Sequence, residues 1–305
     1  MDPLDRSIFD ALDANCRISY EELARKHDIT PNAVRKRVLK LLDSGVIIEF
    51  MVLLSEAQID ANYLVAILKM DGSQDDAHLT NQLTANRMIF VVLPLSNGDF
   101  IIHAMYQGAE GLSSLGRFLR GLDGVESVDM HTTIINRGKK VEFSKTQLKV
   151  LNCLFDDPRM SISDVARQTS MSARRVRRTI DELEESGAVR WSLLWNPNAG
   201  GYITCLVRSK YDEKEIGYEG INQWCRTTFP EEYFYSHRFA AEPSTISVFQ
   251  VERITELERI YRAFKNLPGL NKVTTYIYFT ATVTQPLSNL LLYEQLIEAG
   301  LRNPD

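Results

Sequence analysis

The stretch SYEELARKHDITPNAVRKRVLKLLDSGVI, Ser19–Ile47, aligns without a gap with SISDVARQTSMSARRVRRTIDELEESGAV, Ser161–Val189, at a constant offset of 142 residues. Ala24/Ala166, Arg25/Arg167, Val34/Val176, Arg35/Arg177, Leu41/Leu183 and Gly45/Gly187 are among the identities. Each stretch reads as the last two helices of a tri-helical unit. Ser19-Tyr-Glu-Glu22 is a capping box that starts one helix, and Ser161-Ile-Ser-Asp164 is a weaker copy. A break at His27–Ile29 precedes Thr30, which can cap the next helix, with Pro31 at its first position where a missing N–H costs nothing. Val34, Val38, Leu41 and Leu42 recur at helical spacing, and Gly45 closes the helix. Upstream, Leu4, Ile8, Ala11 and Leu12 form one helical stripe, matched more loosely by Leu148, Leu151, Leu154 and Phe155. Downstream, VIIEFMVL and AVRWSLLW are β-rich and read as wings.

The likeness resumes later in each half. Phe118–Val128 (FLRGLDGVESV) answers Phe264–Val273 (FKNLPGLNKV), with Gly124 opposite Gly269. Either match alone is compatible with chance; two in the same order point to a duplication. Between them each half alternates strands and helices. The first gives a strand at Leu64–Met70, a helix at Asp76–Asn86, strands Met88–Leu95 and Phe100–Tyr106 joined through Asn97-Gly98, an amphipathic helix through Leu112–Leu122, and a strand at Val125–Ile135. The second gives Tyr202–Ser209, Ile216–Phe229, Tyr233–Phe239, Ile246–Glu252, Glu256–Leu267 and Leu270–Val283 in the same order. That order is βαββαβ, a ferredoxin-like sandwich. The expected fold is therefore α+β: two winged helix-turn-helix units (1–54 and 139–196) alternating with two ferredoxin-like domains (60–138 and 200–285), joined near Asn136–Glu142 and followed by an apolar helix within 286–305.

The 305 residues, with 44% hydrophobic and 25% charged side chains, exclude a fibrous or wholly disordered chain. A formal net charge of −5 excludes a uniformly basic nucleic-acid coat but leaves room for a local basic patch. Four cysteines without a Cys-x-x-Cys pair are too sparse for a disulfide scaffold or zinc ribbon. The acidic start MDPLDRSIFD does not read as a signal peptide, and no apolar run reaches membrane-spanning length. A cytoplasmic protein with reduced thiols and no membrane association is expected.

Basic residues concentrate where a helix-turn-helix meets DNA. Arg25, Lys26, Arg35, Lys36, Arg37 and Lys40 stand against only Asp28, and Arg167, Arg174, Arg175, Arg177 and Arg178 stand with no acid among them. Lys and Arg supply affinity by releasing counterions from phosphates, and the start of the second helix reaches base edges. Thr30, Asn32, Arg35, Lys36, Arg37, Arg174, Arg175, Arg177 and Arg178 are the expected contacts to double-stranded DNA. The two surfaces differ: Arg174 replaces Asn32, and Glu182 replaces Lys40. No phosphate loop, paired-His metal motif or nucleophile elbow is present, so no catalytic residue, metal or cofactor is expected. His27, His78, His103, His131 and His237 are scattered and read as surface or packed side chains. Tyr233, Phe234, Tyr235 and Phe239 read as strand packing.

With these residues in hand, the chain resembles the leucine-responsive/asparagine-regulator transcription factors, also called feast/famine regulators. Leu4–Ile47 is similar to their DNA-binding unit across nearly its whole length, and βαββαβ to their effector-binding domain. Unlike them, this chain carries the plan twice. The resemblance implies a transcriptional regulator, homodimeric association through the sandwich domains, and a small-molecule effector such as an amino acid at the turn Gly98-Asp99-Phe100. The corresponding turn of the second half, Glu242-Pro243-Ser244-Thr245, lacks the glycine, which points to a structural role there. An alternative of the same two-domain plan is a siroheme-decarboxylase-like tetrapyrrole enzyme. The basic third helices and the lack of a His-rich or aromatic-polar pocket motif speak against it.

Overall fold

The computed structural model describes residues 1–196, 198–199 and 201–303. Gly200, where the expected second sandwich begins, and Pro304 and Asp305, at the end of the expected C-terminal segment, lie outside the described residues. The first repeat runs α1 (Pro3–Ala14), α2 (Tyr20–His27), α3 (Pro31–Asp43), β1 (Ile47–Leu54), β2 (Ala61–Met70), α4 (Asp76–Thr84), β3 (Ile89–Pro94), β4 (Phe100–Gln107), α5 (Gly108–Arg120) and β5 (Val125–Ile134). The second runs α6 (Lys145–Asp156), α7 (Ile162–Thr169), α8 (Ala173–Ser186), β6 (Val189–Trp195), β7 (Ile203–Tyr211), α9 (Tyr218–Thr228), β8 (Tyr233–Phe239), β9 (Ser244–Val251), α10 (Ile254–Asn266), β10 (Leu270–Ile277) and β11 (Thr282–Val283). Helix α11 (Leu287–Glu298) follows. The expected long last strand is broken in two, at Tyr278–Ala281. The chain forms two compact units, each drawing on both repeats: residues 1–61, 137–195 and 285–305 make one, and 62–136 with 196–284 the other.

The first unit contains both tri-helical bundles. Their ends are set by the same chemistry in each copy. Asp2, Ser19 and Thr30 accept backbone N–H bonds at the starts of α1, α2 and α3. Ser144, Ser161 and Ser172 do so for α6, α7 and α8, Ser144 in a complete capping box with Gln147. Asp28 and the corresponding Ser170 end α2 and α7 in the left-handed conformation. The two strands read as separate wings are partners. β1 pairs antiparallel with β6, from Ile47 opposite Trp195 to Leu54 opposite Val189. Each repeat supplies a single strand here, because the chain leaves β1 through a turn into β2; the unpaired backbone edge of one copy is satisfied by the other.

The pairing is reinforced reciprocally. Arg17 donates to the carbonyls of Pro158 and Met160, and Arg159, its counterpart one repeat later, donates to those of Cys16 and Ile18. α11 packs on β1 and α6: Leu287, Leu292 and Leu296 are buried, and the Asn289 amide donates to the Val52 carbonyl at 3.0 Å. The segment expected to be a linker is a packed strap. The Ala57 N–H donates to the Arg137 carbonyl, the Lys139 N–H to the Gly187 carbonyl, and Gln58 bonds Val141 through both its amide oxygen and its amide nitrogen.

The second unit contains both βαββαβ motifs in one nine-stranded sheet, ordered β10-β7-β9-β8-β5-β2-β4-β3-β11. Within each copy the order is that of a ferredoxin-like sandwich. The copies join where Thr133 and Ile134 of β5 meet Phe239 and Arg238 of β8. The opposite ends also meet, through a bridge between Leu95 and Tyr278 and a bond from the Ser96 N–H to the Ile277 carbonyl, so the sheet closes on itself. Alternation along the strands decides the two faces. Leu64, Ala66, Leu68, Ile102 and Ala104 pack with α4 and α5, and Cys205, Val207, Phe249 and Val251 with α9 and α10. On the other face the alternate residues Val65, Ile67, Ile246 and Val248 are buried, whereas Phe279 is exposed.

Candidate nucleic-acid interface

In both copies the second helix of the helix-turn-helix begins with a hydroxyl cap and exposes cations along its outer face. On α3, Asn32, Arg35 and Lys36 are exposed. Thr30 is spent as the cap, accepting from the Ala33 N–H at 3.2 Å. On α8, Arg174, Arg175, Arg177 and Arg178 are all exposed. Val34, Val38 and Leu41, and likewise Val176, Ile180 and Leu183, face inward and hold each helix in its bundle. Among the described residues no carboxylate pairs with Arg35, Lys36, Arg174, Arg175 or Arg177, whereas Arg178 bonds Glu182 at 2.8 Å.

Arg37 stands apart from the other expected contacts. Its guanidinium bonds Asp2 at 2.7 Å and Asp5 at 2.6 Å, and Lys40 bonds the other oxygen of Asp5 at 3.0 Å. The two carboxylates hold the Arg37 guanidinium even above its usual pKa. At Asp2, burial pushes the carboxyl up, but the Asp5 N–H and Arg37 outweigh it and hold it below the usual carboxylate range. Sequence reading missed this network because its members lie on α3 and at the start of α1, more than thirty residues apart.

The turn with Gly98, Asp99 and Phe100 lies between β3 and β4. Gly98 has φ +85°, and a Cβ there would meet open space. The Asp99 carboxylate accepts from the Met70 N–H at 3.1 Å and the Asn97 amide at 2.9 Å. Phe100 is fully buried in the core beneath α4 and α5. In the second copy, Glu242 bonds Arg208 at 2.7 Å and Lys210 at 2.5 Å. Burial raises the Glu242 pKa, but bonds from Lys210, Arg208 and Ser244 outweigh it and hold it at about 2.

Two of the histidines read as scattered are brought together by the second unit. The His103 and His237 rings lie 5.9 Å apart, one from each repeat, on the sheet face away from the helices. Tyr63 bonds His103 Nδ1 at 2.5 Å and packs 4.9 Å from the His237 ring, while Tyr235 and Phe90 complete the group. His237 Nε2 is enclosed and has no hydrogen-bond partner. Burial pushes both imidazoles down, His237 to about 4 and His103, which also faces His237, to about 3. All four cysteines are buried free thiols.

The profile of the winged helix-turn-helix DNA-binding family matches residues 1–48 and 143–190, the same span of both repeats. An uncharacterized HTH-type transcriptional regulator of Pyrococcus horikoshii is 28% identical over 136 residues, 44% of this chain and 91% of that protein. A second such regulator of the same organism is 28% identical over 150 residues, 48% of this chain and 92% of its own length. Over the fold, the siroheme decarboxylase NirDL, solved with an iron-uroporphyrin III analogue, has a TM-score of 0.59 across 97% of this chain and 99% of that one, at 11% identity. The chain is a protein with two winged helix-turn-helix DNA-binding units. It is similar, one repeat at a time, to these HTH-type regulators, each of which corresponds to about half of it.

Proposed function

We propose that this protein is a sequence-specific DNA-binding transcriptional regulator, cytoplasmic and without catalytic activity, that presents two helix-turn-helix units as one internally paired body. No helix of the described residues is long and apolar enough to cross a membrane. The observation that carries the reading is the exposure of Arg35 and Lys36 on α3 and of Arg174 and Arg177 on α8, without a carboxylate partner among the described residues, in the first turns of a capped second helix, with Arg35 and Arg177 at equivalent positions of the two repeats. Replacing these four by Ala is expected to abolish retention of genomic fragments, the chain's own promoter first among them, without lowering the melting temperature, since exposed cations contribute little stability. Retention by the quadruple variant at raised salt overturns the reading. Association into a homodimer uses surfaces other than the sheet faces already paired inside the second unit. A small-molecule effector such as an amino acid sits at the Gly98-Asp99-Phe100 turn, where the missing Cβ lets a ligand approach the backbone. Stabilisation of the protein by a metabolite, lost in Gly98→Val with DNA binding retained, tests that site.

A second reading, a tetrapyrrole enzyme of the same plan, draws on one observation, the enclosed Tyr63–His103–His237 group with its proton-carrying side chains. A visible absorption shift on adding siroheme favours it; the regulator reading expects none.

A further inference from the structure

The two helix-turn-helix units differ at the groove between the first helix and the DNA-facing helix. At the offset of 142 residues, Asp2, Asp5, Arg37 and Lys40 of the first unit become Ser144, Gln147, Thr179 and Glu182 of the second. In the first unit Asp5, with a side chain only 1% exposed, holds both Arg37 and Lys40, and Asp2 holds Arg37 as well. In the second unit, among the described residues, no ion pair joins α6 to α8 at these positions, where Glu182 pairs instead with Arg178 of its own helix. There the Ser144 and Gln147 side chains bond each other in a capping box, and the Thr179 hydroxyl turns back to the Arg175 carbonyl at 2.9 Å. An open groove of about 670 Å³ remains between the starts of α6 and α8. Ser144, Thr146, Ser172, Arg174, Arg175 and Arg178 line it, with Glu182 at its far end. Arg175 already reaches across it to the Thr146 hydroxyl at 3.0 Å.

We propose that the second unit seats a DNA backbone phosphate in this groove, while Asp2 and Asp5 fill the matching groove of the first unit as an intramolecular stand-in for phosphate. The proposal rests on the DNA-binding reading and assigns the two units unequal shares of it. Guanidinium groups recognise carboxylate and phosphate by the same forked geometry, so the two compete for one site. In the second unit Arg175 meets a hydroxyl, which yields to an anion without loss of a charge pair, and among the described residues Glu182 engages only Arg178. In the first, DNA must take Arg37 from Asp5, which leaves a buried carboxylate short of a partner and opposes the exchange. The second unit is the grip on the backbone; the first is held back by its own N-terminal segment.

The chain supplies its own test, because the residues that open the groove in one unit are known to fit the fold in the other. Asp2→Ser/Asp5→Gln in the full chain gives the first unit the capping pair of the second. Binding to a fluorescently labelled random-sequence duplex is measured by anisotropy over a range of salt concentrations. The variant is expected to bind more tightly than wild type, with the slope of log affinity against log salt steeper by about 0.9 for each cation released. Arg174→Ala/Arg175→Ala is expected to weaken binding and flatten the slope by a similar amount for each cation removed, and more than Arg35→Ala/Lys36→Ala does. Should the double aspartate variant melt early, Asp2→Ser alone keeps the cap and Asp5, and is expected to show a smaller gain of the same sign. Unchanged affinity and slope in the aspartate variants, or a loss in the Arg174/Arg175 variant no greater than in the Arg35/Lys36 variant, overturns the proposal while leaving DNA binding intact. Absence of any binding by wild type at low salt overturns the DNA-binding reading and this proposal with it.

Discussion

His103 and His237 show what a single side chain can carry that spacing along the chain does not announce. Both imidazoles are neutral in the folded protein, with pKa values lowered by burial to about 3 and about 4. In the unfolded chain each binds a proton near the ordinary value of 6.5. The unfolded state therefore holds more protons as pH falls. The stabilisation from neutral burial is complete above about 6.5 and is lost progressively as pH falls toward the folded values, at up to about 1.4 kcal/mol per pH unit for each proton. Denaturant unfolding at pH 7.5 and pH 5 is expected to show a lower midpoint at pH 5, and His103→Asn/His237→Asn is expected to flatten that difference. An equal pH dependence in the variant would count against the pair. Glu242, lowered from its ordinary 4.5 to about 2, loses its own contribution mainly below pH 4.5, outside the comparison of pH 7.5 with pH 5. Neither histidine was legible as a partner of the other, because they lie on β4 of one repeat and β8 of the other, joined only by sheet closure. The basic face of α8 was legible, since its residues are neighbours on one helix.

At the scale of elements, the helices could be read because their signals are local: a hydroxyl cap, Pro31 at a first helical position, an apolar stripe at helical spacing. The β1–β6 ribbon could not, because alternation identifies a strand without naming its partner. The strap after β5 shows the same limit. Its glycine and charged residues have the composition of a linker, yet it is held between β1 and the end of α8. Gly138 has φ +69°, and a Cβ there would stand 2.3 Å from the Gly187 carbonyl oxygen and 2.6 Å from Ser55 Cβ. Gly138→Ala thus combines left-handed backbone strain with overlap against backbone that has little freedom to yield. A loss of about 2–4 kcal/mol is expected, read as a lower denaturation midpoint; Lys139→Ala is expected to stay within about 0.5 kcal/mol. A Gly138→Ala protein as stable as wild type would show that the strap is not held as described.

For the whole molecule, duplication places two copies of each motif on one 34.8 kDa chain. The contacts that join them form without a second chain. Homodimer formation is then separable from folding. Light scattering at micromolar concentration is expected to give twice the chain mass, and dilution to monomer is expected to leave the far-ultraviolet circular dichroism unchanged. Loss of strand signal on dissociation would mean that the nine-stranded sheet depends on the second chain. The repeat itself was plain from one gapless alignment. What it did not reveal is that the two copies of each motif would group with each other, so that neither unit is a continuous piece of chain.

The ribbon of β1 and β6 also sets an order of events during synthesis. Ribosomes add roughly 5–20 residues per second, so β1 waits on the order of ten to thirty seconds before its partner strand emerges. During that wait a nascent chain carries an unpaired strand edge next to a complete tri-helical bundle, and on a polysome the β6 of a leading chain can reach it first. The product is a swapped dimer with every native bond of the ribbon in place and only the connectivity changed. Because the contacts are the same in both, the ratio of single-chain to swapped ribbon is expected to vary with translation rate and polysome density, read as a change in the dimer fraction when synthesis is slowed.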